Sequence, residues 1–160
     1  MRGRLVCQVF PQSSVMAINE KSNPSEYNGT ISRRFSKTNG WARVIHPRAS
    51  VSPLASIGRN VLIMAGVVIT SDAVIGDHVC ILPNTVIHHD VTIGDWSLVG
   101  ANVTVAGGAG LADNCYIGSG SRIMNGVEIG AGALVGLGSN VIRDVRAGAT
   151  VAGNPAREIH

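Results

Sequence analysis

Three consecutive polar residues, His88, His89 and Asp90, follow the apolar pair Val86-Ile87. A neutral imidazole, with an ordinary pKa near 6.5, can take a proton from an amine or hydroxyl as that group attacks an electrophile. A carboxylate beside it can hold the ring in one tautomer and stabilise the imidazolium that forms. A solvated polar turn is the competing reading of the same three residues. The three cysteines, Cys7, Cys80 and Cys115, are odd in number and lack metal-ligand spacing. They supply neither a disulfide framework nor a zinc site.

The elements that must position these residues show in the composition. Hydrophobic residues make up 45% of the 160, but aromatics only 4% and charged residues 14%, with twenty glycines. An average domain carries about 25% charged residues. The core must therefore be built from small aliphatic side chains in a regular setting. A disordered chain is excluded by the same numbers. No apolar run approaches the ~18 residues of a membrane span. The apolar stretch Leu5 to Phe10 is too short for the core of a signal peptide, and a cytoplasmic protein is expected.

From Ile45, every sixth residue to Val141 is Ile, Leu or Val, seventeen positions without a break. A second column four residues later (Ala49, Ala55, Val61 and onward to Ser139) is always small. A period of six suits neither a helix nor one continuous strand. It suits a short strand and a turn, repeated. Gly58, Gly76, Gly94 and Gly130 recur at multiples of eighteen, with Ala112 in the vacant place. Three hexads thus make one coil of a triangular prism, with about five to six coils between residues 45 and 141. The glycines are expected to supply turn conformations costly for other residues. His88, His89 and Asp90 belong to neither inward column, so they lie in an outer turn, whereas Cys115 falls in the small inward column.

This is the repeat of the left-handed parallel β-helix acyltransferases, and the chain resembles that family through about 100 residues. The resemblance implies a left-handed helix, against the usual crossover preference, and a homotrimer. Val86-Ile87-His88-His89-Asp90-Val91-Thr92-Ile93-Gly94-Asp95-Trp96 is similar to a motif of bacterial sugar O- and N-acyltransferases, including sialic acid O-acetyltransferases. Val151-Ala152-Gly153-Asn154-Pro155-Ala156-Arg157 and Val44-Ile45-His46-Pro47 are similar to that subfamily's terminus and helix start. The match implies His89 as catalytic base and Asp90 as its orienting acid. It also implies acetyl-CoA in a groove between subunits, with contacts at Gly107, Ser119 and Leu137. Arg157 is a candidate for the CoA phosphates, with a plain tail charge as the alternative. Three positions depart from the pattern. Leu98 replaces a His, Leu82 an Asn, and His88 the acid before the base. A metal-dependent reading on the same helix needs two histidines five residues apart, and the chain has none.

Residues 1–43 read as a shortened β-α segment, 44–152 as the β-helix and 153–160 as a C-terminal tail. Ser14 to Ile18 reads as a short strand. Asn23-Pro24-Ser25 opens a helix carrying Tyr27, Ile31 and Phe35 on one face. Residues 1–48 hold eight of the thirteen Lys and Arg but two of the ten acids, a solvated basic surface rather than a nucleic-acid or membrane site. The expected function is transfer of acetyl from acetyl-CoA to a sugar amine or hydroxyl, directly and without a cysteine intermediate. A non-sugar acceptor (serine or an antibiotic) and an inactive scaffolding trimer are the alternatives.

Overall fold

The structure, a computed structural model, describes residues 43–159. The expected strand at 14–18, the helix after Pro24 and Cys7 all lie outside these residues. Two-residue strands recur every six residues, from β1 (Val44–Ile45), β2 (Ser50–Val51) and β3 (Ser56–Ile57) to β17 (Asn140–Val141). Up to Arg122–Ile123 each pairs in parallel with the strand eighteen residues on, as Val86-Ile87 does with Thr104-Val105. Three parallel sheets result, and they form the walls of a left-handed β-helix of about six turns. Face 1 runs from β1 through Leu98–Val99 to Leu134–Val135 and closes with β18 (Thr150–Gly153) and the antiparallel β19 (Ala156–Glu158). Face 2 carries Val86–Ile87, Thr104–Val105 and Arg122–Ile123, and face 3 carries Val74–Ile75, Thr92–Ile93 and Gly110–Leu111. The segment from residue 153 is therefore bound into face 1 as half of a hairpin.

Both columns point inward. Ile63, Ile81 and Ile87 are 0% exposed, and Val61, Val91 and Cys115 sit among the buried small residues. Four hydroxyls occur in the small column, and each is doubly used. Thr85 Oγ1 donates to the Gly100 carbonyl at 2.6 Å and accepts the Val103 N–H at 3.2 Å. Ser97 and Ser121 repeat this one coil apart from their partners. A buried hydroxyl left unpaired would be costly, so this pattern lets Ser and Thr replace Val inside.

The turns correct one expectation. Gly58, Gly76, Gly94 and Gly130 do not have positive φ; they are needed because coils meet there. A Cβ on Gly94 would lie 2.6 Å from the backbone of Ala112 and Asp113. The left-handed turn position falls elsewhere, at Asn60, Asp72, His78, Asn84, Asp90, Trp96, Asn102 and Asn114, and at glycines such as Gly108 and Gly126. Asn and Asp tolerate that conformation through their short polar side chains. Trp96 does not share that advantage, and it is held there with its ring stacked on His78 at 3.9 Å, nearly parallel.

Candidate functional site

The three corners of the prism differ in their chemistry. Corner I joins faces 1 and 2, corner II faces 2 and 3, and corner III faces 3 and 1. In each turn the N–H of the second residue after an inward Ile or Val makes no backbone hydrogen bond among the described residues. Proline, which has no N–H, occupies this place at 47, 53 and 83. At corner III the next coil supplies an acceptor: Arg59 N–H donates to Asp77, Asp77 N–H to Asp95, and Asp95 N–H to Asp113, at 2.6–2.9 Å. The guanidinium of Arg59 also donates to Asp77. This holds the Asp77 carboxyl below its ordinary range, the Arg59 side chain being the main cause and its backbone N–H the second.

His89 is that second residue at corner II. Its Nδ1 lies 2.8 Å from Oδ2 of Asp90, and both side chains are about two-thirds exposed (62% and 65%). With Nδ1–H donating to the carboxylate, Nε2 carries the lone pair, the tautomer a base needs. One coil on, Gly107 lies under the ring. A Cβ there would fall 2.7 Å from both Cε1 and Nε2 of His89, so only glycine leaves room for the imidazole. Gly108 N–H donates to the His89 carbonyl at 3.0 Å, which locks the two coils together. The N–H of Gly107 itself meets no acceptor among the described residues. The corner thus presents, one coil apart, a proton acceptor and an unclaimed donor.

The remaining expected contacts fall elsewhere on the prism. Ser119 and Leu137 stack at corner I, across face 2 from His89. Ser119 Oγ accepts the Ala101 N–H at 3.1 Å, and Leu137 is 73% exposed. Arg157 is exposed on β19, with its guanidinium donating to the Ala156 carbonyl. Within one chain, therefore, His89, Asp90 and Gly107 come together, while Ser119, Leu137 and Arg157 do not join them. Leu98 lies on the outer side of face 1 between Cys80 and Tyr116, and Leu82 opens a corner I turn. Burial pushes the Cys115 thiol up, as expected of a packed hydrophobe. Among the described residues no cluster of His, Cys, Asp or Glu is arranged to hold a metal.

The chain matches the family of bacterial transferase hexapeptide (six repeats) at residues 54–88 and 72–107. It also matches the hexapeptide repeat of succinyl-transferase at 110–142. Together they cover more than half of the chain. No curated protein matches it. PerB from Caulobacter crescentus, solved in complex with CoA and GDP-perosamine, is similar with 37% identity and a TM-score of 0.73, over 74% of this chain and 57% of that one. A mutant of perosamine N-acetyltransferase from the same organism, also with CoA and GDP-perosamine, is similar at 36% identity and TM-score 0.73, covering 74% and 56%. The acetyltransferase domain of PglB from Neisseria gonorrhoeae, in complex with acetyl coenzyme A, shows 30% identity and a TM-score of 0.72, covering 73% and 57%. The chain thus spans a little over half the length of these solved relatives.

Proposed function

This chain belongs to the hexapeptide-repeat bacterial transferases, and on that premise we propose that it transfers acetyl from acetyl-CoA to an amino or hydroxyl group of a sugar, with a nucleotide-linked or sialic-acid-like sugar as acceptor. One observation carries the reading. The His89–Asp90 pair stands over Gly107, whose N–H meets no acceptor among the described residues. CoA-bound relatives at 36–37% identity that also hold an amino-sugar nucleotide support the substrate class.

Nε2 of His89 takes the proton from the acceptor nitrogen or oxygen as that atom forms its bond to the acyl carbon. Asp90 keeps Nδ1 protonated and balances the imidazolium. The Gly107 N–H is placed to meet the negative charge that develops on the acyl oxygen. His89 then returns the proton to the departing thiolate, so the acyl group moves directly and no protein atom is acylated. Cys115 is too deeply buried to take part.

The group to be bound fits this surface, since Gly107 and Gly108 keep corner II clear of side chains beside the base. Ser119 and Leu137 contribute from corner I of a neighbouring copy, which makes the working unit a homotrimer. A pair of charges exposed to water is worth little. A second subunit over corner II would exclude that water and strengthen every interaction there. Arg157 is assigned to the CoA phosphates, and the protein to the cytoplasm. The test is a panel of sugars, serine and aminoglycosides offered with acetyl-CoA, with release of CoA thiol as the readout. Acetylation of a sugar amine or hydroxyl is expected; acetylation only of another class would contradict the reading.

A further inference from the structure

Corner II continues beyond the base toward the C-terminal end. The track after His89 and Gly107 is open at two positions, where a Cβ on Gly108 or on Gly126 would meet nothing within 4 Å, while Met124, 46% exposed, borders it. Asn125 contributes one exposed amide. In the next coil the corner is rebuilt. Val141 still pairs with Ile123, eighteen residues back, but Val145 bridges Ile129, sixteen back. The last coil therefore rounds corner II with two residues fewer. Asp144 turns Oδ1 onto the Glu128 N–H at 2.9 Å and so stands in for the missing backbone. Arg143 is left at the bend, fully outside.

The cations nearby are not equivalent. Arg146 is committed to both oxygens of Glu158 at 2.7 Å. Arg157 donates to the Ala156 carbonyl. Arg143 makes no hydrogen bond or ion pair among the described residues. It shares with Arg157 the wall of an open hollow of about 320 Å³, floored by Val141, Val145 and Val151. Asp144 and Glu158 also face this hollow, and each is already engaged as described.

We propose that Arg143 joins Arg157 in holding the phosphates of the acyl donor, three coils from His89 along one corner. The inference rests on the acetyl-CoA reading above. Three coil steps of about 4.8 Å separate the two residues by ~14 Å along the prism, comparable with the reach of an extended pantetheine arm. That arm needs room to lie close to polar backbone, which Gly107, Gly108 and Gly126 supply. A guanidinium suits the far end, because its planar fork meets phosphate oxygens two at a time.

Calorimetric titration of the wild type, Arg143→Ala and Arg143→Lys with CoA and, separately, with pantetheine tests this without reference to turnover. Losing a charge-assisted hydrogen bond should weaken CoA binding about tenfold or more in Arg143→Ala. Arg143→Lys should recover part of it, and pantetheine should bind all three proteins alike. Arg143→Ala binding CoA within about twofold of wild type, or losing pantetheine equally, would overturn the assignment alone. Wild type that binds no CoA would overturn the functional reading together with it.

Discussion

Gly107 lies one coil beyond His89, and the place its missing Cβ would take is 2.7 Å from the imidazole. Base and glycine are a single device: the ring rests where no side chain can be, and the same glycine carries an N–H that meets no acceptor among the described residues. Because Gly107 has no positive φ, its backbone conformation is open to any residue. Gly107→Ala should therefore fold with a melting temperature close to wild type while pushing the ring aside. Misplacing a catalytic group by about an ångström costs up to ~100-fold, and kcat should fall by tenfold or more on that scale. A variant with unchanged kcat would show that the ring and the glycine do not act together.

Asp90 occupies a left-handed turn position, φ 58°, which Asn also tolerates. Asp90→Asn should keep the turn but lose the carboxylate that fixes the tautomer of His89. The expected fall in kcat is about tenfold or more, less than loss of the base itself. A purely structural Asp90 would lower the unfolding midpoint and leave kcat unchanged.

The Arg59–Asp77 pair ties the first two described coils together at corner III. Its carboxyl is held below the ordinary value of 3.8 in the folded protein. The ionised form is the one favoured by folding, so the stabilisation is fully present above the ordinary carboxylate range. It is lost as the pH falls through the lowered value. The difference in melting temperature between wild type and Asp77→Asn should be constant near neutrality and close below pH of about 4. Added salt should shrink it, because Arg59 is more than half exposed. No gap at any pH would mean that Asp77 acts only as an acceptor for the Arg59 N–H, a role that Asn preserves.

Gly94 tests the packing of corner III. An alanine methyl would meet backbone atoms of Ala112 and Asp113 at 2.6 Å, and backbone cannot swing away as a side chain can. Gly94→Ala should destabilise by about 1–3 kcal/mol, the usual cost of overpacking, as read by denaturant unfolding. An unchanged midpoint would show that neighbouring coils can separate at this edge.

Much of the fold is legible in the residues because two interior columns repeat every six places, and no other periodicity explains Ile45 through Val141. The place of His89 follows from the same count, since a residue two past an inward Ile must lie in a turn. What eludes the pattern is the part set by coil-to-coil contact. Gly94 and Asn84 both mark turns, but whether a turn needs space or positive φ depends on the neighbouring coil, which periodicity alone does not describe. Arg143 was hidden for a related reason: the rhythm breaks after Val141, and only the pairing of Val145 with Ile129 shows that the corner is kept and shortened. The stacking of Trp96 on His78 is one coil apart too, yet nothing in their spacing announces two rings face to face.

The most direct measurement is acetyl transfer by His89→Ala against wild type, with acetyl-CoA and whichever sugar the panel identifies. Removal of an exposed side chain should leave the unfolding midpoint in place, and kcat should drop by at least about 10²-fold, the lower bound for loss of a general base. An alanine variant that turns over at the wild-type rate would contradict the account.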